Sequence, residues 1–288
     1  GQGKLEISEV VHGYRTAETY LEAKALNDSG DCNQDVDCDI TPGGADPYSL
    51  NQKKEDVKKS AGMLVSGGSG FCSGALVNNT NNDGTPYFLT ANHCGPGGAS
   101  GWAFRFNWRS PNPSCGTTTN STDGSWNQTV SGATLRANDS QSDMGLVEIT
   151  DTSFFAGNPD VVWAGWNRST TTTPNANFGV HHPSGDIQKT CRDDDGATRV
   201  QTSFNGDPDA QMWRIEDWDL GVTEPGSSGS PLFNEDGRII GMLSGGSAAC
   251  SGTNDNGGYD IYGRFGVAWD YGSTAATRLR DWLDPGNT

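Results

Sequence analysis

The stretch TEPGSSGSPLF at 223–233 packs three serines between glycines and follows them with a proline. Gly/Ser runs usually read as flexible connectors. This one instead runs into PLFNEDGRIIGMLSGG, a pattern of strand, Asp-Gly turn and strand, so one of its serines is a candidate nucleophile. A serine hydroxyl reacts poorly near neutral pH. It needs an adjacent base, and the base needs an orienting carboxylate. The chain has four histidines, at 12, 93, 181 and 182. His12 lies in a polar N-terminal stretch. His181 and His182 are consecutive in a strand-like run, so they face opposite sides and read as structural rather than as a shared catalytic or metal site. His93 stands in PYFLTANHCGPGG, just past an apolar strand, where Cys94 can tie the turn down. Asp143 opens the apolar strand of SDMGLVEI and is the matching carboxylate, although an aspartate there is also a common turn residue. Read together, the segments give the order His, Asp, Ser.

The elements that must position these residues are short and mostly strands. From residue 61 the runs GMLV, CSGALVNN, PYFLTAN, GWAFRFNW, ATLRAN and MGLVEI recur between Gly, Asn, Asp and Pro clusters. They resume as VVWAGW, NFGVHH, QMWRIEDW, SPLF, RIIGML and IYGRFGVAW. This is the pattern of an all-β barrel or sandwich. One helix is expected, in STAATRLRDWLDPG. There Ser273 is the N-cap, Leu279, Trp282 and Leu283 form an apolar stripe, and Pro285-Gly286 ends it. No repeat of solenoid length is present. Two barrel-like halves meeting near 150–160 divide the chain into an N-terminal arm or pro-segment remnant (1–31), a first barrel (32–155) and a second barrel with the helix (156–288).

At the level of motifs, the chain resembles the chymotrypsin-type serine proteases, and most closely the bacterial lysyl endopeptidases. The resemblance runs from about residue 31 to 284 and is carried by CNQDVDC, SGALVNNT, YFLTANHCG, WAGW, HHP, GVTEPGSSGSP and RLRDWLDP. It implies two six-stranded antiparallel β-barrels with the active site between them, and the catalytic residues His93, Asp143 and Ser228. The amides of Gly226 and Ser228 would form the oxyanion hole. Gly226 has no side chain to block that approach, and Ser230, entering the next strand before Pro231, is a poorer nucleophile. The resemblance also implies Asp260, in GGYDIYGRFGV, at the base of a primary specificity pocket that takes lysine. It implies Ser244 and Gly245 on the strand lining the cleft, and the disulfides Cys32–Cys250, Cys38–Cys115 and Cys72–Cys94, with Cys191 left over. Many relatives have a histidine where this chain has Ser244, stacked on a tryptophan that finds no counterpart around SFNGDPDAQ.

Composition agrees with an exported enzyme. Seven cysteines scattered through a Gly- and Asn-rich chain point to disulfides and an oxidising, extracellular compartment. The formal net charge of −17 argues against nucleic acid. No apolar stretch is long enough to cross a bilayer. The acidic runs DCNQDVDCD and CRDDDG lack EF-hand spacing and read as solvated loops. The expectation is therefore a secreted, monomeric serine endopeptidase without metal or cofactor, acting on polypeptides at lysine, with some cleavage at arginine left open. The competing readings are a protease of other primary specificity and a non-catalytic secreted β-domain, either an inactive protease relative or a carbohydrate-binding sandwich.

Overall fold

The computed structural model describes residues 26–41, 46–125 and 127–287. Two curled antiparallel sheets carry the chain. The short strand β1 (Gln34–Asp35) belongs to the second sheet. The first sheet is built from β2 (Ala61–Ser66), β3 (Ser69–Leu76), β4 (Tyr87–Ala91), β5 (Ala103–Phe106), β6 (Thr129–Ser131), β7 (Ala133–Asp139) and β8 (Met144–Ile149), in the order β6-β5-β2-β3-β4-β8-β7. The second adds β9 (Asn177–His181), β10 (Lys189–Asp193), β11 (Thr198–Phe204), β12 (Asp207–Ile215), β13 (Pro231–Asn234) and β14 (Ile239–Gly246). A small hairpin, β15 (Cys250–Ser251) and β16 (Asn254–Asp255), precedes the last strand, β17 (Asp260–Arg264). The second sheet runs β1-β10-β9-β13-β14-β17-β12-β11. The all-β, two-sheet architecture matches the expectation, with seven and eight strands in place of six each.

Each sheet wraps its own core. Leu64, Phe88, Phe104, Phe106 and Val147 fill the first, and Trp213, Trp218, Leu232, Leu243 and Tyr262 fill the second. A third cluster joins them, from Leu89 and Leu146 through Phe178 and Phe233 to Leu279 and Leu283. Burying each of those two C-terminal leucines is worth roughly 1.5–3 kcal/mol, so the C-terminus helps hold the sheets together. Thr80 N–H donates to the Leu283 carbonyl at 2.8 Å and fixes the same contact from the first sheet.

Several local expectations are corrected. The C-terminal helix is a single turn, α3 (Arg280–Leu283), entered from Leu279; Ser273 is not its cap. The run IYGRFGVAW leaves the strand at Arg264 and becomes a helix, α2 (Phe265–Asp270). VVWAGW makes only isolated bridges, Ala164 to Val77 and Trp166 to Ile239, and so ties one sheet to the other. An unexpected helix, α1 (Leu50–Val57), buries Leu50, Lys54 and Val57 on one face. Its first amides are capped from upstream, because the Asp46 carboxylate accepts from Leu50 N–H at 2.7 Å and from Asn51 N–H at 3.2 Å.

Gln34 and Asp35 pair with Thr190 and Lys189, so β1, just after Cys32, lies at the edge of the second sheet. Residues 26–31, grouped with the arm on sequence, are pinned to the body. Asn27 N–H and the Ser29 hydroxyl donate to Asp186 at 2.9 and 2.6 Å, and Gly30 N–H donates to Glu224 at 3.0 Å. Residues 1–25 of the arm, His12 included, lie outside the described residues.

Candidate active site

His93 sits in a one-turn 3₁₀ segment, Asn92–Cys94, directly after β4. Asp143 precedes β8 in the left-handed conformation, φ 49°, which an aspartate tolerates better than most residues. β4 and β8 are hydrogen-bonded neighbours, so the two loops emerge side by side. The buried Asp143 carboxylate uses both oxygens on the histidine. Oδ2 lies 2.7 Å from His93 Nδ1, and Oδ1 accepts the His93 backbone N–H at 2.9 Å. The Asp143 carbonyl also accepts Asn92 N–H at 2.7 Å. Two contacts from one carboxylate fix both ring orientation and backbone, leaving Nε2 as the nitrogen free to work on a reacting group.

The serine turn comes from the second sheet and is sewn to the first beside this pair. Ser73 N–H donates to the Ser228 carbonyl at 2.7 Å. Ser73 follows Cys72, whose disulfide partner Cys94 follows His93. Gly229, at φ 80°, lies so close to β3 and β4 that a β-carbon would fall 2.2 Å from Thr90 Oγ1. Glycine there permits the approach that brings the serine turn beside the His93 loop. Ser228 itself is half-buried, whereas Ser227 and Ser230 are buried. Gly226 has φ 97°, and among the described residues no acceptor takes the amides of Gly226 or Ser228.

Asp260 opens β17 opposite Ile215 and Gly246. It is 1% exposed, and its Oδ2 accepts from Trp218 Nε1 at 2.7 Å and from the Thr223 hydroxyl at 2.8 Å. Burial raises its pKa to about 6, against the lowering effect of those two donors. Thr223 lies five residues before Ser228 in sequence, so its hydroxyl ties the segment leading into the serine turn to this carboxylate. Of the cleft-strand residues, Gly245 has open space on its side-chain side. Ser244 is turned away, its hydroxyl 3.9 Å from Met212 Sδ.

The remaining sequence candidates are placed as follows. Cys32–Cys250, Cys38–Cys115 and Cys72–Cys94 are disulfides, and Cys191 is a buried free thiol. Cys72, His93 and Cys94 bring ligand-type atoms within 4.8 Å of one another, but the two sulfurs are bonded to each other. His181 and His182 point apart, as alternation requires, and neither reaches His93. Both nevertheless contact the serine turn or its supports, which sequence reasoning missed. Phe204 was missed as well. Its ring meets the His93 imidazole edge-on, with centroids 5.8 Å apart. It lies in the SFNGDP hairpin, where the only signal was one aromatic in a polar turn.

Two curled antiparallel sheets with these loops between them are the architecture of the chymotrypsin-type proteases. The chain belongs to the lysyl endopeptidase family: the model of the lysyl endopeptidase C-terminal domain matches residues 26–263. A lysyl endopeptidase of Pseudomonas aeruginosa strain PAO1 is 29% identical over 226 residues, covering 77% of this chain and 46% of that protein. The chain thus spans less than half the length of that relative. Among solved structures, the inactive form of the Rv3671c protease of M. tuberculosis, a serine-to-alanine mutant, aligns with a TM-score of 0.44 at 17% identity, covering 77% of this chain and 91% of that one. An HtrA-type protease solved with a tripeptide aligns at 0.46 and 12% identity, covering 75% and 60%.

Proposed function

We propose that this protein is a serine endopeptidase that cleaves polypeptides after lysine through an acyl-enzyme. Ser228 attacks the scissile carbonyl while His93 takes its proton, and His93 then returns the proton to the leaving amine. Asp143 holds the imidazole in the tautomer with Nδ1 protonated and stabilises the imidazolium. The amides of Gly226 and Ser228 receive the oxyanion. Asp260 receives the lysine ammonium. The observation that carries this reading is the joint placement of the Asp143–His93 pair and the Ser228 turn, locked together by Ser73 and the Cys72–Cys94 disulfide. A sugar-binding β-domain has no use for that convergence.

The lysine preference is supported by family membership and by the burial of Asp260. A carboxylate in a largely dry slot can be matched by one cation on a long stem, and an apolar residue there leaves it unpaired. Three disulfides support action outside the cell, where such bonds persist. No described helix is long and apolar enough to cross a membrane. The experiment that tests the reading combines labelling with cleavage mapping. A sulfonyl fluoride should modify Ser228 once per chain and abolish hydrolysis, and Ser228→Ala should remove nearly all turnover. Cut sites in an unfolded protein should follow lysine. A fully active Ser228→Ala protein refutes the mechanism. Cuts after Phe, Leu or Glu with lysine bonds intact refute only the specificity.

A further inference from the structure

The amides of Gly226 and Ser228 can meet an oxyanion only if the turn that carries them keeps its shape, and that turn leans on the end of β9. Ser227 faces inward, opposite to Ser228, and is fully buried. Its Oγ accepts Glu224 N–H at 3.2 Å and lies 2.8 Å from His181 Nδ1. This contact is the ring's one hydrogen bond among the described residues, because His181 Nε2 is buried without a partner. Burial pushes the His181 pKa down to about 3, with His182 and Lys189 opposing a further positive charge, so the ring is neutral.

The residues just after His181 hold the rest of the turn. Ser184 N–H donates to the Pro225 carbonyl. His182 N–H donates to Ser73 Oγ at 3.0 Å, and that hydroxyl donates to the Gly226 carbonyl at 3.0 Å. The fit is close enough that a β-carbon on Gly226 would lie 3.0 Å from the His182 carbonyl oxygen. The Pro225 carbonyl and the Ser227 hydroxyl are thus held directly by residues 181–184, and the Gly226 carbonyl is held through Ser73. The Gly226 N–H shares a peptide plane with the held Pro225 carbonyl, and the Ser228 N–H shares one with the Ser227 carbonyl, which accepts Ser230 N–H at 2.9 Å, so the planes of both amides are fixed by the turn's own contacts.

We propose that His181, acting through the Ser227 hydroxyl, is a positioning residue that keeps the Gly226 and Ser228 amides aimed at the oxyanion. The proposal rests on the serine-endopeptidase reading. It does not place His181 in contact with substrate.

The test compares His181→Leu, which removes the hydrogen-bond partner of Ser227, with His181→Asn, whose amide can stand where Nδ1 stands. Removing one oxyanion donor typically costs ~100-fold or more in kcat, so His181→Leu should lose about that much on a lysine ester with little change in KM. A lysine aldehyde, whose tetrahedral adduct needs the oxyanion hole, should bind the Leu variant more weakly by a similar factor. Binding of n-butylamine, which needs only the specificity pocket, should not change. His181→Asn should restore most of the rate. Ser227→Ala, a smaller perturbation, should reproduce the Leu phenotype and serves if the Leu variant does not fold. Wild-type kcat in both His181→Leu and Ser227→Ala overturns the proposal. So does a folded Asn variant as impaired as the Leu variant, or equal weakening of aldehyde and amine. Ser228→Ala is measured alongside. If it stays active, the protease reading itself has failed; if it is inactive while the other variants are normal, only the role of His181 has.

Discussion

Replacing Asp260 by asparagine should stabilise the protein and disable it in the same step. The carboxyl is 1% exposed, and its pKa is raised from 3.8 to about 6. At 1.36 kcal/mol per pH unit, that rise means ionised Asp260 costs the fold about 3 kcal/mol. The sign follows from linkage. The folded-state pKa lies above the unfolded one, so the cost is fully present above pH 6 and disappears as pH falls from 6 towards 4. In Asp260→Asn the side-chain amide keeps one oxygen for the Trp218 and Thr223 donors and removes the charge. The variant's advantage in unfolding free energy should therefore approach 3 kcal/mol at pH 8 and vanish near pH 4. A difference of that size amounts to a melting-temperature gain of several degrees.

Function should move the other way. Binding a lysine against the neutral amide leaves an ammonium desolvated without its counter-charge, a loss of about 3–5 kcal/mol. The kcat/KM for a lysine ester should fall by roughly 10²- to 10⁴-fold, while a small neutral acylating agent still reacts with Ser228. In the wild type, kcat/KM for the lysine ester should fall more steeply below pH 6 than for a neutral ester, because the ammonium must meet a carboxylate. Thermal melts at pH 4, 6 and 8 and kinetics on a matched pair of lysine and norleucine esters read both effects. Lysine kcat/KM within tenfold of wild type, or a stability advantage that grows towards acid, would refute the assignment of Asp260.

Two further outcomes follow from contacts around the site. Phe204→Ala removes the ring edge that meets His93, an aromatic contact worth about 0.5–1.5 kcal/mol, so kcat/KM should fall by a few-fold to about tenfold; an unchanged rate would show that the contact does not support His93. Cys191 is fully buried, and burial holds its thiol well above the ordinary range, so iodoacetamide should miss it in the native protein and label it once per chain after denaturation without reductant. Peptide mapping that finds Cys191 in a disulfide would overturn that pairing.

What was legible in the sequence was the chemistry carried by scarce residue types in constrained settings. Four histidines leave few choices of base, and glycines around a serine mark a turn that must approach another backbone. The strands nearest the proposed site were apolar and also easy to read. The misses share a physical cause: positions where burial is satisfied by a distant partner rather than by local pattern. β10, KTCRD, looks too polar for an inner strand, yet Lys189 Nζ is matched at 2.6 Å by Asp35, 154 residues away. The same pairing draws β1 across to the second sheet. α1 escaped notice because Lys54 occupies the core-facing position between Leu50 and Val57, its charge answered by the Cys38 carbonyl and by Glu55. Alternation correctly sent His181 and His182 to opposite faces, but the conclusion that they serve no common site did not follow. One imidazole reaches the serine turn through Ser227, and the other residue's backbone reaches it through Ser73. A strand end can thus grip one loop from both of its faces, so the period of a strand shows where side chains point but not what its terminus holds.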